Sequence, residues 1–215
     1  MTTNLTSPAD LDFGVQLGQA ASAFRDQTLV RPSADAVVEA LLAGEKAAKQ
    51  QRMTYPVEAL WGDWRLCFAT GTRKLRQRGG IALGKGFYVP KLAIAKISFQ
   101  PLPADGGSGE TAANLGTIAN QARVGSLAIT FTGPCRYEEK KNLLVFDFTE
   151  LEISAFGRSL YRGQIGGKVD GKAQAQPFVE RRIGKLPFFA FFCITDNFVA
   201  ARGRGGGLAL WVRDR

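Results

Sequence analysis

The sequence predicts a mainly β protein, an antiparallel β-barrel with helices from the N-terminal part of the chain packed against it. Short segments after Pro56 alternate apolar and polar residues with the period of a strand. Clusters of glycine, proline and asparagine separate these segments at the spacing of turns. A chain of 215 residues is long enough to bury the core of such a domain. No repeat of about 20–50 residues is visible, which argues against a propeller or a solenoid.

The N-terminal part of the chain predicts helices. Ser33 and Asp35 are candidate N-caps. The apolar residues that follow them at helical spacing are Val37, Val38, Leu41 and Leu42. Residues 45–52 either extend this helix or form a basic connector, and Asp10 is the candidate cap of a shorter helix before it. We therefore expect two parts, a helical segment over residues 1–56 and the barrel over residues 57–215.

The strand signals occupy the rest of the chain. The predicted strand segments are residues 64–69, 92–99, 126–132, 143–148, 150–154, 190–195, 198–202 and 208–212. The run from Leu186 to Ile194 has no polar alternation, so we expect a strand with one face against the helices and one in the barrel interior. Part of that interior face is expected to line an apolar cavity. Residues 203–207 precede a strand and not a helix, which favours a hairpin turn over a phosphate-binding loop.

The composition excludes several kinds of chemistry. The chain contains no histidine, which excludes histidine-based triads and general bases and predicts no bound transition metal. The three cysteines, far apart in the sequence, are Cys67, Cys135 and Cys193. This scatter predicts reduced, packed thiols and no disulfide framework. The carboxylates of Asp147, Glu150 and Glu152 fit a solvent-facing surface, because nothing predicts a pocket that would separate their pKa values. We expect no enzyme.

The formal net charge of +9 implies an acidic partner. Four cations follow the first predicted strand: Arg73, Lys74, Arg76 and Arg78. These four residues, here called the basic rim, form either a solvated loop or a surface that docks on anionic lipid, where each cation contributes about 1 kcal/mol. Nucleic acid is the weaker alternative, because the single arginine-glycine segment is flanked by strands.

Hydropathy predicts no membrane-spanning helix, since no apolar run approaches about 20 residues. The first basic residue is Arg25, so the beginning of the chain does not have the pattern of a signal peptide. We expect a cytoplasmic protein.

Three segments carry a resemblance to a known family. They are residues 60–70 (LWGDWRLCFAT), 115–124 (LGTIANQARV) and 194–207 (ITDNFVAARGRGGG), the last of which continues into residues 208–213 (LALWVR). Together they resemble the plastid lipid-associated protein (fibrillin) family of plastids and cyanobacteria, in which a Gly-x-Trp strand opens a barrel and an Arg-Gly-rich strand pair closes it. Phe68 and Ala69 stand where that family favours tyrosine and threonine. The resemblance spans residues 40–213, through the ends and the middle of that stretch.

The pair Gly62-x-Trp64 is also the start of lipocalin-like barrels. Glycine lets the first strand turn sharply into the barrel, and the indole plugs the closed end. In such barrels an arginine of the last strand stacks over the ring as a cation–π cover. Arg202 and Arg204 are the candidates in this sequence.

The resemblance implies non-catalytic binding or carriage of a hydrophobic small molecule, a carotenoid, quinone or lipid, at or near a photosynthetic membrane. It places the protein in the cytoplasm or at the periphery of the thylakoid membrane. The residues expected to contact the ligand are Trp64, Leu66, Phe68, Phe146, Phe148, Phe189, Phe191, Arg202 and Arg204. A second interpretation is a lipocalin-like bilin lyase or chromophore chaperone acting on phycobiliproteins. In that case Arg136, Tyr137 and Glu138 are the residues expected to hold the tetrapyrrole.

Overall fold

The computed structural model describes residues 8–74, 81–90, 92–102, 114–165, 168–169, 172–173 and 177–214. Within these ranges the helices are α1 (Pro8–Arg25) and α2 (Ala34–Gln51). The strands are β1 (Gly62–Lys74), β2 (Ile81–Tyr88), β3 (Ala93–Pro101), β4 (Leu115–Val124), β5 (Leu127–Glu138), β6 (Leu143–Phe146), β7 (Glu150–Ala155), β8 (Arg158–Gln164), β9 (Lys168–Val169), β10 (Lys172–Ala173), β11 (Phe188–Ile194), β12 (Phe198–Gly203) and β13 (Leu208–Arg213).

Eight antiparallel strands close into a barrel, and the two helices pack against its outside. The strands pair in the order β4, β3, β1, β13, β12, β11, β6 and β5, and β5 pairs again with β4 to complete the ring. Closure removes the open edges that an eight-stranded sheet would otherwise present. The predicted fold class, a lipocalin-like barrel with N-terminal helices, is confirmed.

The first and last strands of the chain are neighbours, as predicted. β1 and β13 pair from Trp64 opposite Arg213 to Ala69 opposite Ala209. β12 and β13 form a hairpin whose turn is tied by the amide of Gly203, which donates to the carbonyl of Gly207 at 2.9 Å. The prediction of a hairpin turn at residues 203–207 is therefore confirmed.

The caps of α2 explain where this helix begins and ends. The hydroxyl of Ser33 accepts a hydrogen bond from the amide of Ala36 at 3.2 Å, which satisfies one of the free amides of the first turn. The helix continues past Gly44 to Gln51, so residues 45–51 extend it and do not form a connector. Arg52 follows in the left-handed conformation with a φ of 50° and closes the last turn.

Two β-bulges turn pairs of consecutive side chains toward the helices. The register shifts between Leu66 and Phe68 in β1, and between Phe191 and Cys193 in β11. After each bulge the alternation resumes in the opposite phase. The helix-facing core contains Cys67, Phe68, Phe192 and Cys193, together with α1 residues such as Leu17. As predicted, β11 therefore buries one face against the helices and one in the barrel interior.

Three further strands extend the barrel at one end. β2 pairs with the second half of β1, where β3 has already separated from it. β7 pairs with the first half of β5, β6 pairs with the second half, and β8 adds to the outer edge of β7. The barrel consequently flares at the end where β1, β3 and β4 have residues 74, 93 and 124. We call this end the mouth and the opposite end, where β1 begins, the closed end.

The structure differs from the sequence-based element boundaries in several places. β6 ends at Phe146 and β7 begins at Glu150, where one strand was predicted to reach residue 148. The strands β2, β4, β8, β9 and β10 were not predicted at all. None of the helices in the described part of the chain is both long enough and apolar enough to cross a bilayer.

Candidate functional site

The closed end of the barrel is filled by Trp64. Its side chain is fully buried, and its indole nitrogen donates to the carbonyl of Leu60 at 2.7 Å. The guanidinium carbon of Arg213 lies 4.0 Å from the ring centroid, a cation–π contact. Gly62 has a φ of 118°, and a Cβ there would come 2.9 Å from the guanidinium of Arg213. The glycine before the tryptophan therefore leaves the space that the arginine occupies.

Arg213 is held in place by backbone carbonyls as well as by the indole. Its three guanidinium nitrogens donate to the carbonyls of Asp196 at 2.8 Å, Trp61 at 3.0 Å and Ala59 at 3.2 Å. These carbonyls belong to the turn before β12 and to the segment before β1. The arginine thus fixes the chain segments that cover the closed end.

The prediction that Arg202 or Arg204 stacks on Trp64 is wrong. Arg202 points away from the interior to α2, where its guanidinium binds the carboxylate of Glu45. Arg204 lies in the turn at the mouth and donates to the carbonyls of Leu186 at 2.9 Å and Gly184 at 2.8 Å. Every second residue of β13 points into the barrel, so Trp211 and Arg213 share the inward face. Arg213 is therefore the residue that contacts the Trp64 ring.

A buried polar group completes the closed end. The side-chain oxygen of Asn142 accepts from the amide of Tyr55 at 3.0 Å and from the hydroxyl of Tyr137 at 3.3 Å, and its amide donates to the carbonyl of Met53 at 2.6 Å. Burial raises the pKa of both tyrosines above the usual range, so both stay neutral. These hydrogen bonds within the chain, together with the buried Trp64 ring, make this end a structural plug.

A row of aromatic rings runs from the plug toward the mouth. Phe99 and Phe191 lie 6.2 Å apart between centroids, and Phe189 and Trp211 lie 5.4 Å apart. The remaining contacts along the row are Phe189–Phe191 at 6.3 Å, Phe189–Phe146 at 5.1 Å, Phe146–Phe148 at 5.1 Å and Phe148–Phe131 at 5.6 Å. Aromatic walls of this kind favour apolar ligands.

Exposure of these rings rises along the row. Phe99 is fully buried and Phe191 is buried, whereas Phe189, Phe148 and Phe131 are only partly buried. The inward side chains Leu66 and Ala209 are also partly buried at this level. The rings nearest the plug are therefore the most deeply buried, and a barrel with this buried aromatic cluster fits the binding of a small hydrophobic ligand.

The structure brings together most of the predicted ligand contacts. Phe146, Phe148, Phe189 and Phe191 form the aromatic row, and Leu66 packs against the same core. Trp64 lies below them in the plug. The structure does not bring Phe68, Arg202 or Arg204 into the interior: Phe68 belongs to the helix-facing core, where its ring packs edge-on against Tyr88 at 5.1 Å.

Three residues of the row were missed in the sequence. Phe99 lies in β3, Phe131 in β5 and Trp211 in β13, and all three belong to predicted strands without a predicted ligand role. The signal was present, because Trp211 alternates in phase with Ala209, and Phe131 is two residues from Ile129. The bulge in β1 had no such signal, and it is the bulge that moves Phe68 to the other face.

The residues expected for a tetrapyrrole site do not form one pocket. Arg136 donates to the carboxylate of Glu138 at 2.9 Å and to the carbonyl of Val179, on the outside of the barrel. Tyr137, between them in the sequence, is buried in the plug. Strand alternation places Arg136 and Glu138 on the outer face of β5 and Tyr137 on its inner face, so the three side chains do not face one site.

The acidic residues singled out in the sequence are engaged with arginines or lie on the surface. Asp147 forms an ion pair with Arg181 and is half-buried, so it is less exposed than predicted. Glu152 accepts from Arg162 at 2.9 Å, and this hydrogen bond holds the pKa of the carboxyl below its usual range. Glu150 is exposed.

The cysteines are free and buried, as predicted. Burial raises the pKa of all three thiols to about 12, so they are protonated at neutral pH.

A second concavity lies outside the barrel. It has a volume of about 570 Å3 and is lined by the outward faces of β4 and β5 and by Phe178 and Val179. Phe178 supplies its one aromatic ring, whereas seven rings line the interior row. The barrel interior is therefore the stronger candidate for an apolar ligand.

The basic rim lies outside the described part of the structure. Arg76 and Arg78 belong to a segment that is not described, and the side chains of Arg73 and Lys74 are not described either. The backbone of β1 nevertheless ends at Lys74, at the mouth. The end of β1, where Arg73 and Lys74 lie in the chain, and the mouth of the aromatic row therefore belong to the same end of the barrel.

No protein-family model matches the sequence. No curated protein matches it significantly either.

Proposed function

We propose that this protein binds or carries a hydrophobic small molecule of the isoprenoid type, a carotenoid, quinone or lipid, without catalysing a reaction on it. The observation that carries this proposal is the row of aromatic rings that runs from the partly buried Phe131 at the mouth to the fully buried Phe99 at the plug. An elongated apolar molecule fits such a row better than a compact polar one.

The hydrophobic effect supplies enough free energy for this binding. Burial of about 300 Å2 of ligand surface in the mouth favours binding by about 7 kcal/mol before ordering costs. Because association and ordering cost several kcal/mol, the expected affinity is in the micromolar range unless further contacts form.

The resemblance of residues 60–70, 115–124 and 194–207 to the plastid lipid-associated protein family supports the ligand class. It also supports a location in the cytoplasm, at the periphery of a thylakoid membrane. The two ends of that resemblance coincide with the β1–β13 pairing that closes the barrel.

The state of the titratable groups supports binding without catalysis. The three thiols are buried with raised pKa values, and the carboxylates of Glu45, Asp147 and Glu152 are engaged with arginines. A general acid or base needs a free proton-accepting group beside the ligand. The inward side chains of the aromatic row offer none.

A quinone titration tests the proposal. Quinones quench tryptophan fluorescence, and Trp211 lies in the row, so a decyl-chain benzoquinone should quench the emission in a saturable manner. Replacing Phe148 with serine removes a partly buried ring from the mouth and should weaken quinone binding about tenfold, since burial of such a ring contributes about 1.5–3 kcal/mol.

The matched control is Phe87→Ser, which removes an exposed phenylalanine from β2 outside the row. Its quinone affinity should equal that of the unaltered protein. Equal affinities for the Phe148 and Phe87 variants, or quenching that never saturates, would contradict the proposal. Mass spectrometry of organic extracts of the protein purified from its native host would then identify the molecule actually bound.

A further inference from the structure

Two hairpin turns project side by side at the mouth. One joins β4 to β5 at residues 125–126, and the other joins β7 to β8 at residues 156–157. The amide of Phe156 donates to the carbonyl of Ser126 at 3.0 Å, which ties the two turns together. They therefore form one continuous edge of the protein.

This edge exposes large apolar side chains. Phe156 is 86% exposed, Leu160 67%, Val124 64% and Leu127 49%. We call these four residues the apolar tip. Exposed apolar residues are unremarkable when scattered, but Phe156 lies in one of the two joined turns and the other three lie on the strands beside those turns.

The conformation of the β7–β8 turn does not favour phenylalanine at position 156. The two-residue loop Phe156–Gly157 has positive φ at both residues, 51° and 74°, as a type I′ turn requires. Asparagine or glycine is the residue such a turn favours at its first position, and a bulky side chain there is strained. A phenylalanine that is both strained and exposed does not stabilise the fold. We therefore expect the Phe156 side chain to contact a partner outside this chain.

The charges around the apolar tip favour the binding of an anionic surface. Arg123 and Arg158 stand beside the two turns and are both exposed. The sequence has no aspartate or glutamate from residue 111 to 137 or from residue 153 to 169. A second copy of the chain would bring these arginines against each other, whereas an anionic bilayer attracts them and accepts apolar side chains below its headgroups.

We infer that the apolar tip inserts into the surface of an anionic lipid bilayer and so places the mouth of the barrel against the membrane. Leu127 pairs with Val124 at the turn, and the same inward face of β5 continues through Ile129 to Phe131 in the aromatic row. A hydrophobic molecule leaving the bilayer would meet this face without crossing water. The inference rests on the proposed function for the identity of that cargo.

Vesicle binding by a Phe156→Asn variant tests the inference. Asparagine suits the first position of a type I′ turn, so this variant should keep or raise the melting temperature while it removes the inserting ring. With vesicles of phosphatidylcholine and phosphatidylglycerol, its partition coefficient should fall about tenfold, the loss expected for one buried aromatic side chain. Vesicles of phosphatidylcholine alone should bind the unaltered protein more weakly, because the arginines find no anionic headgroups.

The control is Val30→Asn, which removes a comparably exposed apolar residue from the connection between α1 and α2. It should bind vesicles like the unaltered protein. Equal partition of the two variants overturns the inference. So does sedimentation showing a dimer that Phe156→Asn dissociates while vesicles bind neither form, because the apolar tip would then be an interface between copies.

Quinone titration without vesicles separates this inference from the proposed function. Phe156→Asn should leave the quinone affinity unchanged, because Phe156 is not part of the aromatic row. Failure of the unaltered protein to bind quinone, with vesicle binding intact, counts against the proposed function alone. Loss of quinone affinity in the Phe156 variant would show that Phe156 contacts ligand and not lipid, and would overturn the membrane assignment.

Discussion

The indole of Trp64 and the guanidinium of Arg213 stabilise each other at the closed end. The ring fills the barrel, and the arginine covers the ring while it satisfies three backbone carbonyls. The charge stays hydrogen-bonded throughout, so the arginine bears little desolvation penalty. Without Arg213 the Trp64 ring loses its cover, and without Trp64 the guanidinium of Arg213 loses its cation–π contact.

Replacing Trp64 with alanine should lower the free energy of unfolding by about 3–5 kcal/mol, the usual cost of a large buried aromatic. Replacing Arg213 with methionine should cost about 2 kcal/mol, from the cation–π contact and the hydrogen bonds to carbonyls. Urea unfolding measures both. If the two residues are coupled, Arg213→Met should cost less in a Trp64→Leu background, and strict additivity would refute the coupling.

The burial of Trp64 could be predicted from the sequence because a Gly-x-Trp pair at the start of a strand has few other uses. The identity of its arginine could have been read from the phase of β13, in which Trp211 and Arg213 share a face. The inward or outward direction of Phe68 could not, because a bulge between Leu66 and Phe68 reverses the alternation. Only packing against α1 and α2 decides that such a bulge forms.

At the scale of elements, the pair of Glu45 and Arg202 fixes α2 to β12. The Arg202 Nε donates to the carboxylate at 2.8 Å, and this hydrogen bond, opposed by partial burial, holds the pKa of Glu45 below its usual value of 4.5. Because the folded pKa is depressed, the stabilisation is complete above the unfolded pKa, about 4.5. It is lost as pH falls through the lower folded pKa.

Replacing Glu45 with glutamine should therefore destabilise the protein by about 1 kcal/mol at pH 7, the upper range for a pair that retains some exposure. The difference from the unaltered protein should shrink as pH falls below about 4.5, because the glutamate then becomes neutral as well. Urea midpoints between pH 3 and pH 7 measure this. Lys49→Gln, which breaks only the pair within α2, serves as the control and should cost less. A difference that persists unchanged at pH 3 would show that packing and not charge is responsible.

The elements that sequence reasoning missed have an identifiable physical cause. β2 contains Gly84 and Gly86, which read as turn residues, yet a Cβ at Gly86 would come within 2.2 Å of the Phe68 ring and 2.8 Å of Val38. The glycine is there to let a strand lie over a bulky side chain. β8 alternates poorly because both of its faces are largely exposed. β4 was also missed, although its inward face is buried at Gly116 and Ile118. The other seven strands of the barrel, by contrast, were predicted.

At the scale of the whole molecule, the two ends of the barrel differ in chemistry. The closed end is sealed by the Trp64 plug and carries a cluster of cations formed by Lys49, Arg52, Lys140 and Lys141 around a concavity of about 300 Å3. The mouth carries the aromatic row, the apolar tip and the end of β1 that leads into the basic rim. Both ends are basic, so net charge alone does not orient the protein on an anionic surface. The apolar tip supplies the difference.

The basic rim should add electrostatic attraction to the insertion of the apolar tip. Replacing Arg73, Lys74, Arg76 and Arg78 with glutamine removes four cations from the stretch of sequence that begins at the end of β1, which lies at the mouth. At about 1 kcal/mol for each cation that lies close to the lipid, this change should lower partition onto phosphatidylglycerol vesicles by two orders of magnitude or more at low salt. In 0.5 M salt the variant and the unaltered protein should differ little, because the Debye length is then only about 4 Å.

The matched control replaces Lys49, Arg52, Lys140 and Lys141 with glutamine, an equal change of net charge at the closed end. Only the variant at the mouth should lose vesicle binding. An equal loss in both would show that total charge governs association, and the rim would then be an ordinary solvated loop.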